Sequence, residues 1–171
     1  MAGEIDSARL GRAAEYLVAA KAILASDLRL NVSTSFVDDE GVDLVFHRRG
    51  STTTLAVQVK SRTVGAQTIA KKGVFRAIVR TSTFAARADF FLLFVLVDKS
   101  SGTFPYFWLI PSRTFRSGVK PVDGGRRFAA SVKPDTGDRW RKFRFVENEL
   151  APRILAILDG LDDLTQEHSS K

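Results

Sequence analysis

Asp43, Gln58 and Lys60 stand in two short runs, Gly41-Val42-Asp43-Leu44-Val45-Phe46 and Leu55-Ala56-Val57-Gln58-Val59-Lys60-Ser61. A carboxylate, an amide oxygen and an ammonium presented by rigid strands suit one kind of chemistry, the metal-assisted hydrolysis of a phosphodiester. That reaction needs an activated water, a counter-charge for the phosphorane and help for the leaving oxygen. A divalent ion held by carboxylate and carbonyl oxygens supplies these if coordination positions stay open. In this assignment Asp43 is the anionic ligand, Gln58 gives its side-chain oxygen and Val59 gives its backbone carbonyl. Lys60 stabilises negative charge or orients the water. Glu15, from an earlier helix, is an outer carboxylate acting on the metal or its water.

The positioning elements follow from periodicity. Leu55, Val57 and Val59 alternate with Ala56, Gln58 and Lys60, so a strand sends the apolar set one way and Gln58 and Lys60 the other. The same alternation puts Val42, Leu44 and Phe46 on one face and Asp43 on the opposite one. His47 to Ser51 is turn-like and joins the two strands as a hairpin. His47 shares the Asp43 face, where a surface histidine is the simpler reading. Upstream, 3.6-residue spacing predicts a helix from about Ile5 to Ala25, with Leu10, Ala13, Ala14, Leu17, Val18, Ala20 and Leu24 on one broad arc. Glu15 falls just beyond the Val18 edge of that arc, beside Gly11 and Ala22, at the boundary between core and solvent.

Further along, Leu28 to Val37 reads as a strand, and Asp38-Asp39-Glu40-Gly41 as an acidic turn. Thr63 to Lys72 reads as a loop, Val74 to Val79 as a strand, and Thr81 or Ser82 as the cap of a short helix through Ala88. Phe90 to Val97 is apolar on both faces, the pattern of a central, doubly covered strand. Phe104 to Ile110 returns as its antiparallel neighbour, and Pro111-Ser112 opens a short helical turn. Phe128 to Val132 reads as an edge strand, while Trp140 to Phe145 fits strand or helix. Asn148 is the expected N-cap of a closing amphipathic helix through Leu161. One domain, residues 1–161, is therefore expected, with 162–171 as a polar, frayed tail.

Composition narrows the functional classes. The 171 residues are 44% apolar and 26% charged, ordinary values for a folded domain. At this size roughly 70% of the unfolded surface is buried. The net charge of +7 favours a polyanionic partner, nucleic acid ahead of acidic membrane. There is no cysteine, which excludes a disulfide framework and thiolate metal sites and fits a cytoplasmic setting. Met1 to Arg9 lacks an apolar signal core, and Phe90 to Val97 is far short of the ~20 residues a membrane helix requires. No Walker-type loop, Gly-x-Ser-x-Gly elbow or His-Glu-x-x-His motif is present.

Taken together, a helix bearing Glu15, then Gly-Val-Asp43-Leu-Val, then Val-Gln58-Val-Lys60-Ser, resembles the PD-(D/E)XK nuclease superfamily. The resemblance is closest to its QxK branch, which includes Mrr-type restriction endonucleases, and to the helix-glutamate arrangement of archaeal Holliday-junction resolvases. It covers residues 8 to 62 most strongly, with weaker support from Asp89-Phe90-Phe91 and Tyr106 to Pro111. It implies an α/β fold: a restriction-endonuclease-like mixed β-sheet with an α-β-β-β-α-β core flanked by helices. It also implies Mg²⁺ or Mn²⁺ as cofactor and DNA as substrate. Asp43 takes the first-carboxylate role, Lys60 the lysine role and Glu15 the helix-glutamate role. Gln58 stands where many relatives carry Glu or Asp, a departure that removes one anionic ligand.

Basic residues Arg48, Arg49, Arg62, Lys71, Lys72 and Arg76 surround the motif in sequence and are the expected phosphate contacts. Arg139, Arg141, Lys142 and Arg144 form a second group. The leading expectation is a metal-dependent endonuclease, either structure-directed or brought to its target by a protein subunit, and acting as a homodimer. The competing one is a nuclease-fold module, catalytically weak or inactive, that binds nucleic acid or a protein. A third is a subunit of a larger defence or mobile-element system.

Overall fold

The computed structural model describes residues 2–34 and 41–169, with side-chain surroundings for 7–34 and 41–166. In chain order the elements are α1 (Ala2–Ala25), β1 (Leu30–Thr34), β2 (Leu44–Arg48), β3 (Thr54–Thr63), α2 (Gln67–Lys72) and β4 (Val74–Val79). They continue as β5 (Phe90–Asp98), β6 (Thr103–Pro111), α3 (Ser112–Gly118), β7 (Pro121–Val122), β8 (Gly125–Ser131), β9 (Arg144–Phe145) and α4 (Leu150–Ser169). A six-stranded sheet has the order β1-β2-β3-β5-β6-β9, and a three-stranded sheet has the order β4-β8-β7. Among the described residues only β3 and β5 run parallel in the larger sheet, and its other pairings are antiparallel. The sheet is mixed, and α1-β1-β2-β3-α2-β5 is the α-β-β-β-α-β succession, with β4 diverted into the second sheet.

Two cores lie on opposite faces of the larger sheet. On one face Leu44, Phe46, Val57 and Leu93 meet α1 and α4 through Val18 and Ile154. On the other, Leu92, Phe94 and Trp108 meet the small sheet through Phe75, Phe128 and Ala130. Strand β5 supplies both cores with successive residues and is buried along Phe90–Val97, as its unbroken apolar run requires.

Several local expectations are corrected. Helix α1 buries Ala14, Glu15, Val18 and Ala22, while Leu17 is 37% and Leu24 is 73% exposed. Alanines on every side make the apolar arc broad, so contact with the sheet, and not the arc's centre, selects the buried face. The stretch after β3 is no plain loop. Residues Gln67–Lys72 form α2, closed by Gly73 in the left-handed region (φ 62°). The helix expected through Ala88 is absent, because Phe84 packs on Phe90 and Phe115. Ser112 Oγ moreover accepts the Arg87 N–H and donates to the Arg87 carbonyl, holding the connector irregular. Strand β8 occupies the centre of the small sheet, not an edge. The Trp140 to Phe145 segment resolves into a 3₁₀ turn, Arg141–Phe143, followed by β9.

Asn148 does not cap α4. It lies inside a 3₁₀ turn, Glu147–Glu149, because Glu147 is held by the Phe104 N–H at 2.9 Å and by Lys21 Nζ at 2.5 Å. Helix α4 runs from Leu150 to Ser169. Residues 35–37 of the first expected strand and the acidic Asp38-Asp39-Glu40 turn lie outside the described residues.

Candidate active site

The site forms just before the start of β2, where β3 continues past its partner. The antiparallel register pairs Leu44 with Val57, and the Asp43 N–H still bonds the Val57 carbonyl at 3.0 Å. Beyond that point β2 supplies no partner for Val59, and the Asp43 side chain takes its place: Oδ2 accepts the Val59 N–H at 2.6 Å. Because the N–H and C=O of one strand residue point to the same side, the Val59 carbonyl is directed toward the Asp43 side as well. Val42 does not share a face with Leu44 and Phe46, as simple alternation predicts; it packs on the small-sheet side. The turn at Gly41 (φ 66°) breaks the alternation one residue early.

Gln58 continues the register opposite Asp43 and is 5% exposed. Its Nε2 lies 2.8 Å from where a Cβ on Gly41 would stand, and Thr83 Oγ1 lies 3.1 Å from the same point. Only glycine therefore fits at position 41, both for its backbone and for its closeness to Gln58. Gln58 Oε1 is buried with no hydrogen-bond donor among the described residues. A buried acceptor left without a donor costs about 1–3 kcal/mol, so this oxygen is poised for a cation or a polar ligand. Lys60, two residues along the same face, is half-buried and forms no ion pair or side-chain hydrogen bond with a described residue.

Glu15 reaches this end of the sheet from α1. Its side chain is 12% exposed and accepts a hydrogen bond from Arg12 Nη1 at 2.7 Å, an i,i+3 pair on one helix face. Burial raises its carboxyl pKa above the ordinary value, and the Asp43 charge raises it further. The Arg12 and Lys60 charges oppose that rise. These influences bring Glu15, Asp43 and Lys60 into one electrostatic neighbourhood. Among the described residues no group of three or more His, Asp or Glu side chains converges as a metal cluster. The oxygens that could hold a hard divalent cation here are those of Asp43, Glu15, the Gln58 amide and the Val59 carbonyl, two carboxylates and two neutral donors.

The other residues selected from sequence divide sharply. His47 bonds Asn31 across β1–β2, about 13 Å along the strand from Asp43. Arg48, ion-paired with Asp159 of α4, and Arg49 lie at that distant end too, so they do not reach the site. Arg62 follows Lys60 by alternation, and Lys71 and Lys72 close α2 on the surface. Arg76 projects from the outer face of β4. In the second basic group, Arg139, Arg141 and Arg144 donate to backbone carbonyls, so much of that charge braces the chain. Sequence periodicity missed Thr83, which sits in an irregular connector, and Arg12, whose signal was the i,i+3 spacing to Glu15.

No family model and no curated protein matches the chain. Among solved structures, the bacterial homing endonuclease I-Ssp6803I superposes with a TM-score of 0.52 at 21% identity, over 88% of this chain and 93% of that one. The fold is restriction-endonuclease-like. At that identity the likeness extends to architecture alone, and the mixed sheet with flanking helices is what the two chains share. No helix among the described residues is long and apolar enough to cross a membrane.

Proposed function

We infer that the protein is a metal-dependent endonuclease that hydrolyses DNA phosphodiester bonds at the Asp43, Gln58, Lys60 and Glu15 cluster. The observation carrying this reading is the buried Gln58 Oε1, which has no donor among the described residues, across the register from a carboxylate that stands in for a strand partner, with Lys60 two residues further along the same face of β3. The cofactor in this reading is Mg²⁺ or Mn²⁺, held by Asp43, Gln58 Oε1 and the Val59 carbonyl, with Glu15 at its outer side. When bound, such an ion lowers the pKa of a water and neutralises charge on the phosphate. Lys60 contributes a fixed positive charge where the attacked phosphate gains negative charge. Glu15, whose pKa is raised by burial and by Asp43, holds a proton more readily than an exposed glutamate and so suits accepting or returning one. The QxK pattern supports placing the chain with nucleases that use an amide at this position.

The deciding experiment is a cleavage panel of linear, branched and single-stranded DNA with Mg²⁺, Mn²⁺ or EDTA, comparing wild type with Lys60→Ala. Metal-dependent cleavage lost in Lys60→Ala is the expected result. The site's two carboxylates, where three are common, favour a second reading: a nuclease-fold module that binds nucleic acid and cleaves weakly or not at all. Salt-sensitive DNA binding with no cleavage of any substrate in either metal would establish that reading instead.

A further inference from the structure

The small sheet carries a surface that its core role does not explain. Strands β4 and β8 pair antiparallel, with Arg76 opposite Ala129 and Ile78 opposite Arg127. Their inward residues Phe75, Ala77, Val79, Phe128 and Ala130 are buried, whereas Arg76, Ile78, Arg127 and Ala129 are exposed. Ile78 is 45% exposed, a large aliphatic side chain between two guanidinium groups. Arg76, Arg80 and Arg127 form no ion pair or side-chain hydrogen bond with a described residue, unlike the carbonyl-bound arginines near the C-terminal part of the chain. Neither β4 nor β8 contains an Asp or Glu.

We propose that this outward face is a DNA-reading ribbon that enters the major groove of a duplex, with Arg76 and Arg127 on base edges and Ile78 and Ala129 against thymine methyl groups. The proposal rests on the nuclease reading and adds where sequence would be read. A major groove about 12 Å wide admits a two-stranded ribbon whose strands lie about 4.8 Å apart. Arg76 and Arg127 are diagonal neighbours, roughly 7–8 Å apart at their bases, a separation that spans about two base-pair steps. Arginine pairs bidentately with guanine, and small apolar groups meet the thymine methyl, so the four residue types match what that groove displays. Arg80 and Lys120 flank the ribbon and suit phosphates. The ribbon is also joined to the site. The chain leaves β4 at Val79, and the following connector brings Thr83 against Gly41 and Gln58. The chain segment that follows the ribbon thus ends beside the cluster.

The test is selection from a pool of randomised duplexes in EDTA, where no cleavage occurs, using wild type and the exposed-face double variant Arg76→Ala/Arg127→Ala. Wild type should enrich a motif containing guanines, and the double variant should relax preference at those positions by roughly 5- to 150-fold per lost contact. Its melting temperature should stay at the wild-type value. Arg80→Ala/Lys120→Ala should keep the motif but reduce the salt slope of log Kd by about 1–2. Enrichment of the same motif by the double variant overturns the proposal. So does the absence of any motif, or preference for single-stranded DNA or for RNA over the duplex. Cleavage is not read here: a motif with no nuclease activity sinks only the catalytic reading, and cleavage without a ribbon-dependent motif sinks only the ribbon.

Discussion

The Asp43 carboxylate and the Val59 backbone are joined as if by a strand ladder: Oδ2 accepts the Val59 N–H at 2.6 Å, where β2 no longer provides a carbonyl. One oxygen of the proposed ligand is therefore also structural. Asp43→Asn keeps an acceptor oxygen and removes the charge, so its stability in EDTA should be close to wild type. Asp43→Ala leaves the N–H without its acceptor and should be destabilised by about 1 kcal/mol in denaturant melts. Both variants should lose Mn²⁺ binding by calorimetry. Equal stability of the two would mean the bond contributes nothing to the fold.

Glu15 gives a pH signature. Its folded pKa is raised by burial and by Asp43, so the folded state holds the proton more tightly than the unfolded chain does. The favourable contribution is fully present below the unfolded value of 4.5 and is lost as pH rises through the raised folded pKa. Glu15→Gln removes that loss. Melting temperatures of the variant and wild type in EDTA should diverge in the variant's favour as pH rises through this window, and level off above it. Adding Mn²⁺ should narrow the gap, because an ion stabilises the ionised carboxylate. A gap independent of pH would exclude the electrostatic account.

Much of the site was legible because strands obey a period of two. Gln58 and Lys60 share a face, and β5 is doubly covered, as alternation and an unbroken apolar run require. The failures lie where a tertiary contact overrides a local rule. Val42 left its expected face because Gly41 turns the chain in a left-handed conformation. Ala85 to Ala88 favour a helix by composition, yet Phe84 and Ser112 pin that connector. The burial of Glu15 followed from which side of an alanine-rich helix meets the sheet, and alanines on all sides conceal that choice. Arg48 and Arg49 are close to Asp43 in sequence but at the opposite end of a rigid strand.

Gly41 is tested by its Cβ. At φ 66° an L-residue is strained by about 1–2 kcal/mol, and the added carbon would stand 2.8 Å from Gln58 Nε2. Gly41→Ala should lower stability by about 1–2 kcal/mol from backbone strain alone, plus a part that depends on Gln58. In a Gln58→Ala background that second part should vanish, leaving the strain and the Thr83 contacts, so a double-mutant cycle of denaturant melts isolates the Gln58 clash. Additive effects would show that the Gln58 amide yields freely.

Gln58 itself decides whether the amide is a ligand. Its Oε1 is buried without a donor among the described residues, and Gln58→Glu places a negative charge at that point. In EDTA the added charge, beside Asp43 and near Glu15, should lower stability at neutral pH and raise the pKa values of the neighbouring carboxylates. With Mn²⁺ present the order should reverse, since a hard cation binds a carboxylate more tightly than an amide oxygen. Calorimetry should therefore give tighter Mn²⁺ binding for Gln58→Glu and weaker binding for Gln58→Ala than for wild type. The same charge holds the Lys60 proton more firmly. If Lys60 acts as a cation, cleavage persists and needs less Mg²⁺. If Lys60 must lose a proton to act as a base, turnover at neutral pH falls and the optimum moves upward. Unchanged Mn²⁺ affinity in both variants would remove Gln58 from the ligand set and leave its buried oxygen as a polar defect in β3.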